Sequence, residues 1–253
     1  MSKIVKTFLI ILLGLTTGCN NQVNDKPNVI YILADDLGYG DVSAYGKGTL
    51  YTPNIDKLAN EGIRFNNGYS TSATCSPSRY GLLTGNYPWR KDGLRVITGG
   101  SLVIDTTEMT IPKLLKTKGY HTGIVGKWHL GLGYGKIDYN SKISPGPNEL
   151  GFDYSYIMPD TQDRVPTVYI EDGYVKNLDK EDPLFVNFKN NFDNQPTGKS
   201  NPELLTTKWH HGHFNTIVNG ISRIGFMKGG KKAYWSDIDL SLIHISEPTR
   251  RYA

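Results

Sequence analysis

The sequence is poor in cysteine, in net charge and in long apolar runs, and each shortage narrows the class of protein. Its 253 residues include only two cysteines, so at most one disulfide, between Cys19 and Cys75, can form. The formal net charge of +4 is too small for nucleic-acid binding, which requires a clustered basic stripe. No internal repeat is visible, which favours one domain. A mildly basic chain of this kind suits an anionic substrate.

The N-terminus has the pattern of an export signal. Lys3 and Lys6 precede an apolar run at 8–15, and small residues follow this run. The run is too short to span a bilayer as a stable helix. We therefore predict a signal peptide at 1–19 and a polar tether at 20–26.

The end of this signal, Gly18-Cys19, resembles a bacterial lipoprotein signal in which the cysteine is lipidated. A lipidated Cys19 would make the membrane a partner and would place an exported protein in the periplasm or on the outer membrane. Cleavage without lipid is the open alternative. In that case Cys19 is removed and no disulfide to Cys75 can form.

The last residues, 240–253, do not read as part of a domain. The string at 240–250 resembles the in-frame translation of a sequencing adapter, and a short amphipathic terminus is the alternative. We leave this tail out of the fold. The sequence then predicts one domain at 27–239, truncated at its C-terminus.

The order of elements predicts an α/β fold with a mostly parallel sheet flanked by helices. An apolar run at 29–34 predicts a strand buried on both faces. Thr52-Pro53 predicts a helix start with Thr52 as the cap, and Gly62 its end. Further predicted elements are strands at 63–65, 122–125, 168–170 and 184–188 and helices at 77–83 and 111–118, with Gly126 breaking the strand before it.

Two carboxylates follow the predicted buried strand directly. Asp35 and Asp36 therefore lie where open α/β sheets bind ligands, beyond the carboxyl end of a strand. Their oxygens suit a divalent cation such as calcium. A helix cap or a turn is the alternative for such a pair.

Residues 75–85 read Cys-Ser-Pro-Ser-Arg-Tyr-Gly-Leu-Leu-Thr-Gly, which fixes several positions over a short stretch. Cys75 precedes the first turn of the predicted helix, where exposed N–H groups and the positive end of the helix dipole stabilise an anion. Arg79 lies on the same side of that helix. A buried cysteine near a proline turn and a surface Arg79 in an ion pair are the alternatives.

A second motif, Gly-Lys-Trp-His-Leu-Gly, occupies 126–131. Lys127 offers a positive point charge. His129 is suited to proton transfer near neutral pH. A solvated loop is the alternative for both side chains, and we expect Trp128 to be a packing residue.

Together these residues resemble the type I, formylglycine-dependent sulfatases of the alkaline phosphatase superfamily. The resemblance is clear over 27–160 and looser as far as 239. It implies an alkaline phosphatase-like fold, of which 27–239 would be the N-terminal part of the catalytic domain. It also implies that a maturation enzyme oxidises Cys75 to formylglycine, whose hydrate is the nucleophile.

The resemblance further implies the roles of the site residues. Asp35, Asp36 and residue 75 would bind calcium. Arg79 would hold the formylglycine hydrate and Lys127 would bind sulfate. His129 would contact the formylglycine hydroxyl. After one hydroxyl has formed a covalent sulfate ester, His129 would remove the proton from the second hydroxyl, so that sulfate is expelled and the aldehyde returns.

The implied activity is hydrolysis of the sulfuric ester of a sulfated glycan or an aryl sulfate. A phosphate or phosphonate ester hydrolase of the same superfamily is one alternative. A non-catalytic anchored fragment is another, because the family's later calcium-binding Asp-Asn pair, its later His and its second sulfate-binding Lys have no convincing match. We interpret Asp193-Asn194 as a loop. The histidine cluster is interpreted as substrate-facing or solvated (His210, His211, His213). The lysines near the end of the domain are interpreted as a solvated turn (Lys228, Lys231, Lys232).

Overall fold

The computed structural model describes residues 26–46, 50–209 and 212–235. The chain divides between Arg64 and Phe65 into two compact units. Among the described residues, no helix has both the length and the apolar character needed to cross a bilayer. The predicted signal peptide, most of the tether, the tail at 240–253, and His210 and His211 lie outside the described residues.

In the described part of the first unit, helix α1 lies at Pro53–Glu61, which confirms the predicted start and the end at Gly62. The Thr52 side chain does not cap α1. Its hydroxyl instead donates to Asp56 Oδ1 at 3.1 Å and accepts from the Ser43 amide at 3.0 Å. The Ser43 hydroxyl also donates to Asp56, at 2.6 Å. This hydroxyl–carboxylate network fixes the start of α1 in place of a cap.

The predicted strand at 29–34 is wrong for the described residues, where this segment has no regular secondary structure and belongs to no sheet. Val29 is 62% exposed and Ile32 is 81% exposed. A strand buried on both faces requires a neighbouring strand and two covering layers, and the described residues give it neither. The predicted strand at 63–65 is also wrong, because Ile63 is exposed and the segment belongs to none of the strands that the structure describes.

The second unit contains the larger sheet, with strand order β1-β2-β3-β4. β1 and β2 are parallel, and the other two pairings are antiparallel. The strands are β1 at Gly123–Lys127, β2 at Tyr154–Met158, β3 at Ile170–Glu171 and β4 at Tyr174–Val175. The α/β class is thus confirmed. The described sheet is mixed, and its parallel part is the β1–β2 pair.

The described part of the second unit also contains two helices and two small antiparallel sheets. The helices are α2 at Cys75–Thr84 and α3 at Ile111–Lys116. One small sheet pairs β5 at Phe185–Asn187 with β8 at Phe226–Lys228, and the other pairs β6 at Ile217–Val218 with β7 at Ile221–Ser222. Short 3-10 helices occur in the second unit at Pro88–Arg90, Asn148–Leu150, Pro202–Leu204 and Lys231–Ala233. The first unit has such helices at Tyr39–Asp41 and Ser43–Tyr45.

Local signals predicted several of these elements correctly. α2 ends at Gly85 in the left-handed conformation, as expected of a glycine at this position. β1 confirms the strand predicted at 122–125, but Gly126 does not break it, because the ladder to β2 continues to Lys127. At 168–170 only Ile170 belongs to a strand, while Val168 forms an isolated bridge to Tyr234.

A buried apolar core includes residues of β2 and of the segment that follows β1. Trp128, directly after β1, is almost fully buried and donates its indole N–H to the Gly131 carbonyl at 2.7 Å. Leu130 and Ile157 are also buried in this core. Trp128 is therefore a packing residue, as predicted, and the core fixes the position at which β1 ends.

Candidate active site

Cys75 and Lys127 meet where helix α2 begins and strand β1 ends. Cys75 is the first residue of α2, after Thr74 in an extended conformation. Lys127 is the last residue of β1, and its Nζ lies 3.1 Å from Cys75 Sγ. A positive point charge and a helix N-terminus thus converge on one half-buried side chain, which is the arrangement that stabilises an anion.

Arg79 ties helix α2 to the end of strand β1. Its Nη1 donates to the Lys127 carbonyl at 2.6 Å, from one helical turn beyond Cys75. The Arg79 residue is half-buried. Arg79 therefore fixes the backbone from which the Lys127 ammonium reaches Cys75.

His129 is fully buried beside these cationic groups. Its backbone has a φ of 53°, and its amide donates to the Pro159 carbonyl at 2.9 Å. Burial, with smaller contributions from the positive charges of Lys127, Arg164 and Arg79, lowers the pKa of His129 to about 4, against an opposing hydrogen bond to Ile97. The imidazole is therefore neutral near pH 7 and able to accept a proton. A solvated loop is excluded for His129.

Strand β2 ends beside β1 and contributes a second polar group, Asp160. The two strands are parallel, so their carboxyl ends lie at the same edge of the sheet. Asp160 is 4% exposed and accepts a hydrogen bond from the Gly99 amide at 3.0 Å. Burial raises the pKa of Asp160 to about 6, against the opposing effects of the Gly99 amide and the Arg164 charge.

A further polar group follows Asp160. His213 Nε2 and Asp163 Oδ2 are 2.7 Å apart, and Thr161 also donates to this carboxylate. Burial would raise the pKa of Asp163, but the hydrogen bonds from His213 and Thr161 outweigh it and hold that pKa well below its usual range. Arg164 Nη1 lies 2.9 Å from His129 Nε2. This cluster joins the 160–164 segment to the predicted site.

The structure thus brings Cys75, Arg79 and Lys127 into direct contact, with His129 beside them. Asp35 and Asp36 lie in the first unit, on an exposed bend where Asp36 has a φ of 56°. Within the described ranges, no group of three or more His, Cys, Asp or Glu side chains forms a candidate metal cluster. Calcium binding by Asp35, Asp36 and residue 75 stays a prediction.

The sequence reasoning missed Asp160, Asp163 and Arg164. The signal that could have found them is β2, whose buried positions Ser155 and Ile157 alternate with more exposed ones. Polar residues directly after such a strand are candidates for a site. The strand was missed because tyrosines occupy its outward positions, so the apolar alternation is weak.

The remaining predicted polar residues have mixed outcomes. Asp193-Asn194 forms a turn, which confirms the predicted loop. His213 is partly buried and bonded to Asp163, so a merely solvated His213 is wrong. Lys228, Lys231 and Lys232 are exposed, as predicted, and Lys232 also pairs with Asp179. The predicted turn is wrong, because Lys228 lies in β8 and the other two lie in a 3-10 helix.

This geometry is typical of the class of sites that bind an anion, here at the edge of an α/β sheet. Comparison with known proteins agrees with that class. The sulfatase family model matches residues 27–219. The chain therefore belongs to the sulfatase family.

Individual relatives are similar over different lengths. The N-acetylgalactosamine-6-O-sulfatase of Bacteroides thetaiotaomicron is 51% identical over 238 residues, covering 90% of this chain and 47% of the relative. Human steryl-sulfatase is 38% identical over 154 residues, covering 58% of this chain and 26% of the relative. The chain thus spans at most about half the length of these curated relatives.

A solved structure supports the fold. It comes from work on the metabolism of multiple glycosaminoglycans by Bacteroides thetaiotaomicron, and it is 53% identical to this chain with a TM-score of 0.82. The match covers 87% of this chain and 46% of that one. The α/β fold seen here is therefore the fold of a bacterial sulfatase over the matched part.

Proposed function

We propose that the protein hydrolyses the sulfuric ester of a sulfated carbohydrate, with residue 75 as the nucleophile. The observation that carries this proposal is the 3.1 Å contact between Lys127 Nζ and Cys75 Sγ at the start of α2. An ammonium group and a helix N-terminus that are fixed before substrate binds can stabilise negative charge developing at this position. Membership of the sulfatase family gives the ester its identity.

Each side chain around residue 75 has a role that follows from its contacts. Lys127 neutralises the charge of the bound sulfate. Arg79 fixes Lys127 through the hydrogen bond to its carbonyl. His129, kept neutral by burial, takes a proton from the nucleophile as a general base.

Two groups complete the proposed chemistry. Cys75 is proposed to be converted to formylglycine by a maturation enzyme, and Asp35, Asp36 and residue 75 are proposed to hold calcium. The hydrated aldehyde supplies a hydroxyl nucleophile, and calcium supplies positive charge at the sulfate oxygens. Two carboxylates suit calcium by their oxygen chemistry but provide only part of a shell of about six to eight ligands.

The substrate we propose first is N-acetylgalactosamine 6-sulfate within a glycan. Its support is the 51% identity to an N-acetylgalactosamine-6-O-sulfatase. We further propose that the protein is exported and anchored in a membrane through a lipidated Cys19. Glycan degradation outside the cytoplasm would be the setting for this activity.

The test is an assay of sulfate release from N-acetylgalactosamine 6-sulfate. It uses the 253-residue chain and, in parallel, the longest reading frame that contains it, each co-expressed with a maturation enzyme. We expect release by the longer product and loss of release in Cys75→Ala, with Lys180→Ala as an exposed control. Equal or faster hydrolysis of a matched phosphate ester would overturn the sulfatase proposal, and release only by the longer product would make the shorter chain a non-catalytic form.

A further inference from the structure

Two buried side chains hold the short segment 97–99 beside the site. Ser76 is fully buried, and its Oγ accepts a hydrogen bond from the Ile97 amide at 3.0 Å. Asp160 Oδ2 accepts from the Gly99 amide at 3.0 Å. The segment is therefore fixed at one end by Ser76, the residue after Cys75, and at the other by Asp160, two residues after the end of β2.

This segment presents one carbonyl to the catalytic histidine. The Ile97 oxygen lies 2.6 Å from His129 Nε2. A carbonyl oxygen can only accept a hydrogen bond. A contact this short therefore requires the proton on Nε2, because two facing lone pairs at this distance would repel each other.

Arg164 offers the competing assignment. Its Nη1 lies 2.9 Å from the same His129 Nε2, and donation there would place the imidazole proton on Nδ1. The guanidinium has other N–H groups to direct elsewhere, and Nη1 is also 3.5 Å from the Ile97 oxygen. The carbonyl has no such freedom, so the shorter contact decides the assignment in favour of a protonated Nε2.

The second ring nitrogen of His129 is then the basic one. His129 Nδ1 is buried and has no hydrogen-bond partner among the described residues. In a neutral imidazole with the proton on Nε2, Nδ1 carries the lone pair. The charges that influence this ring include Lys127 and Arg79, the two side chains grouped around Cys75.

We propose that Ser76 and Asp160 are positioning residues for His129. By holding 97–99 they place the Ile97 carbonyl against Nε2, which fixes the tautomer in which Nδ1 is the base. The free hydroxyl of the sulfated residue 75 loses its proton to Nδ1, the O–H electron pair forms the C=O bond of the aldehyde, and the C–O bond to the sulfate breaks with its electrons leaving on sulfate. The resulting imidazolium keeps its Nε2–H on Ile97. The catalytic consequence rests on the proposed function, whereas the tautomer does not.

The test is the nitrogen NMR spectrum of the 253-residue chain with isotope-labelled histidine, near pH 7. His129→Gln assigns the signal of His129. We expect a protonated Nε2 and an unprotonated Nδ1 in the wild type, and a mixture of tautomers in Ser76→Ala and Asp160→Ala. Ser76→Thr and Asp160→Asn keep an acceptor for the amide and should keep the wild-type tautomer.

Ser78→Ala is the matched control, because Ser78 lies on the same helix and its hydroxyl bonds to Ser70 instead. Protonation of Nδ1 in the wild type would overturn the proposal, and this result stands even if the alanine variants fail to fold. Folded alanine variants with an unchanged tautomer would also overturn it.

An activity measurement separates this inference from the proposed function. In the matured longer product, Ser76→Ala should lower kcat about tenfold with little change in KM, since general-base catalysis is worth about 10²–10⁴-fold. Residue 75 must be shown to be converted equally in both proteins. An unchanged kcat would contradict the catalytic role of the tautomer, whereas absence of activity in the wild type would contradict only the proposed function.

Discussion

At the scale of single residues, the site contains two buried groups that titrate in opposite senses. Burial lowers the pKa of His129 from 6.5 to about 4 and raises the pKa of Asp160 from 3.8 to about 6. Between about pH 4 and 6.5 the unfolded chain binds the extra proton at His129, so this group makes stability rise with pH. Between about pH 4 and 6 the folded protein binds the extra proton at Asp160, so this group makes stability fall with pH.

We therefore expect Asp160→Asn and His129→Gln to change the pH dependence of stability in opposite directions. Relative to wild type, the unfolding free energy of Asp160→Asn should rise by roughly 3 kcal/mol from pH 4 to 6, since one pKa unit is worth about 1.4 kcal/mol. That of His129→Gln should fall by a similar amount. Urea denaturation at a series of pH values measures both slopes.

The control for these two variants is Asn190→Ala, because Asn190 is exposed and its side chain does not titrate. Its pH dependence should follow that of the wild type. Parallel curves for all variants would mean that neither buried group changes its pKa on folding.

Lys127 carries the next prediction at this scale. Lys127→Met keeps much of the side-chain volume but removes the ammonium group 3.1 Å from Cys75. We expect kcat/KM for sulfate release to fall by about 10²–10³-fold, the usual loss for one preorganised electrostatic contact. Steady-state kinetics of the matured longer product measures this loss, and Lys180→Met serves as the exposed control. A fall in kcat/KM of less than about threefold would contradict a role for Lys127 in binding sulfate.

At the scale of elements, the segment after β1 places His129 and is held by a close backbone approach. Gly131 has a φ of 76°, and a Cβ there would lie 2.1 Å from the Ser101 carbonyl oxygen. Gly135 has nearly the same φ, 77°, with nothing within 4 Å of an added Cβ. An alanine at Gly135 would therefore meet backbone strain alone, whereas an alanine at Gly131 would meet the same strain and steric overlap with Ser101.

We expect Gly135→Ala to cost about 1–2 kcal/mol, the strain of a left-handed conformation. Gly131→Ala should cost several kcal/mol, because backbone must also move away from the new methyl group. Thermal or urea unfolding of both variants measures the difference. Equal destabilisation would show that the approach of Gly131 to Ser101 is not tight.

The elements that could be predicted from sequence are those with local causes. α2 has a proline in its first turn and a glycine after its end. The glycine signal at Gly126 was misleading, because Gly126 lies inside β1. The strand expected at 29–34 has an equally clear apolar pattern, but a strand forms only with a partner, and pattern does not supply one. β2 was missed because outward tyrosines such as Tyr154 weaken its alternation.

The same distinction applies to the site. Cys75, Arg79, Lys127 and His129 could be predicted because each belongs to a short motif with fixed spacing. Asp160 could not, because its importance comes from burial and from the amide of Gly99, a residue 61 positions earlier in the chain. The tautomer of His129 likewise depends on a carbonyl, which no pattern of side chains reveals.

At the scale of the whole molecule, calcium bound by Asp35 and Asp36 should raise the free energy of unfolding. In the matured longer product we expect saturating calcium to raise the unfolding free energy, by about 2.7 kcal/mol at a hundredfold excess over Kd. Asp35→Asn and Asp36→Asn should abolish this gain, whereas the exposed Asp92→Asn should not. Calorimetry with calcium and with a chelator measures it, and an equal gain in all variants would contradict the assignment.

The central claim is that residue 75, as formylglycine, is the nucleophile of a sulfatase. The most direct measurement is the rate of sulfate release from N-acetylgalactosamine 6-sulfate in preparations with different fractions of residue 75 converted, each fraction determined by mass spectrometry. We predict a rate proportional to the converted fraction, with no release at zero conversion. A rate independent of that fraction would contradict the claim.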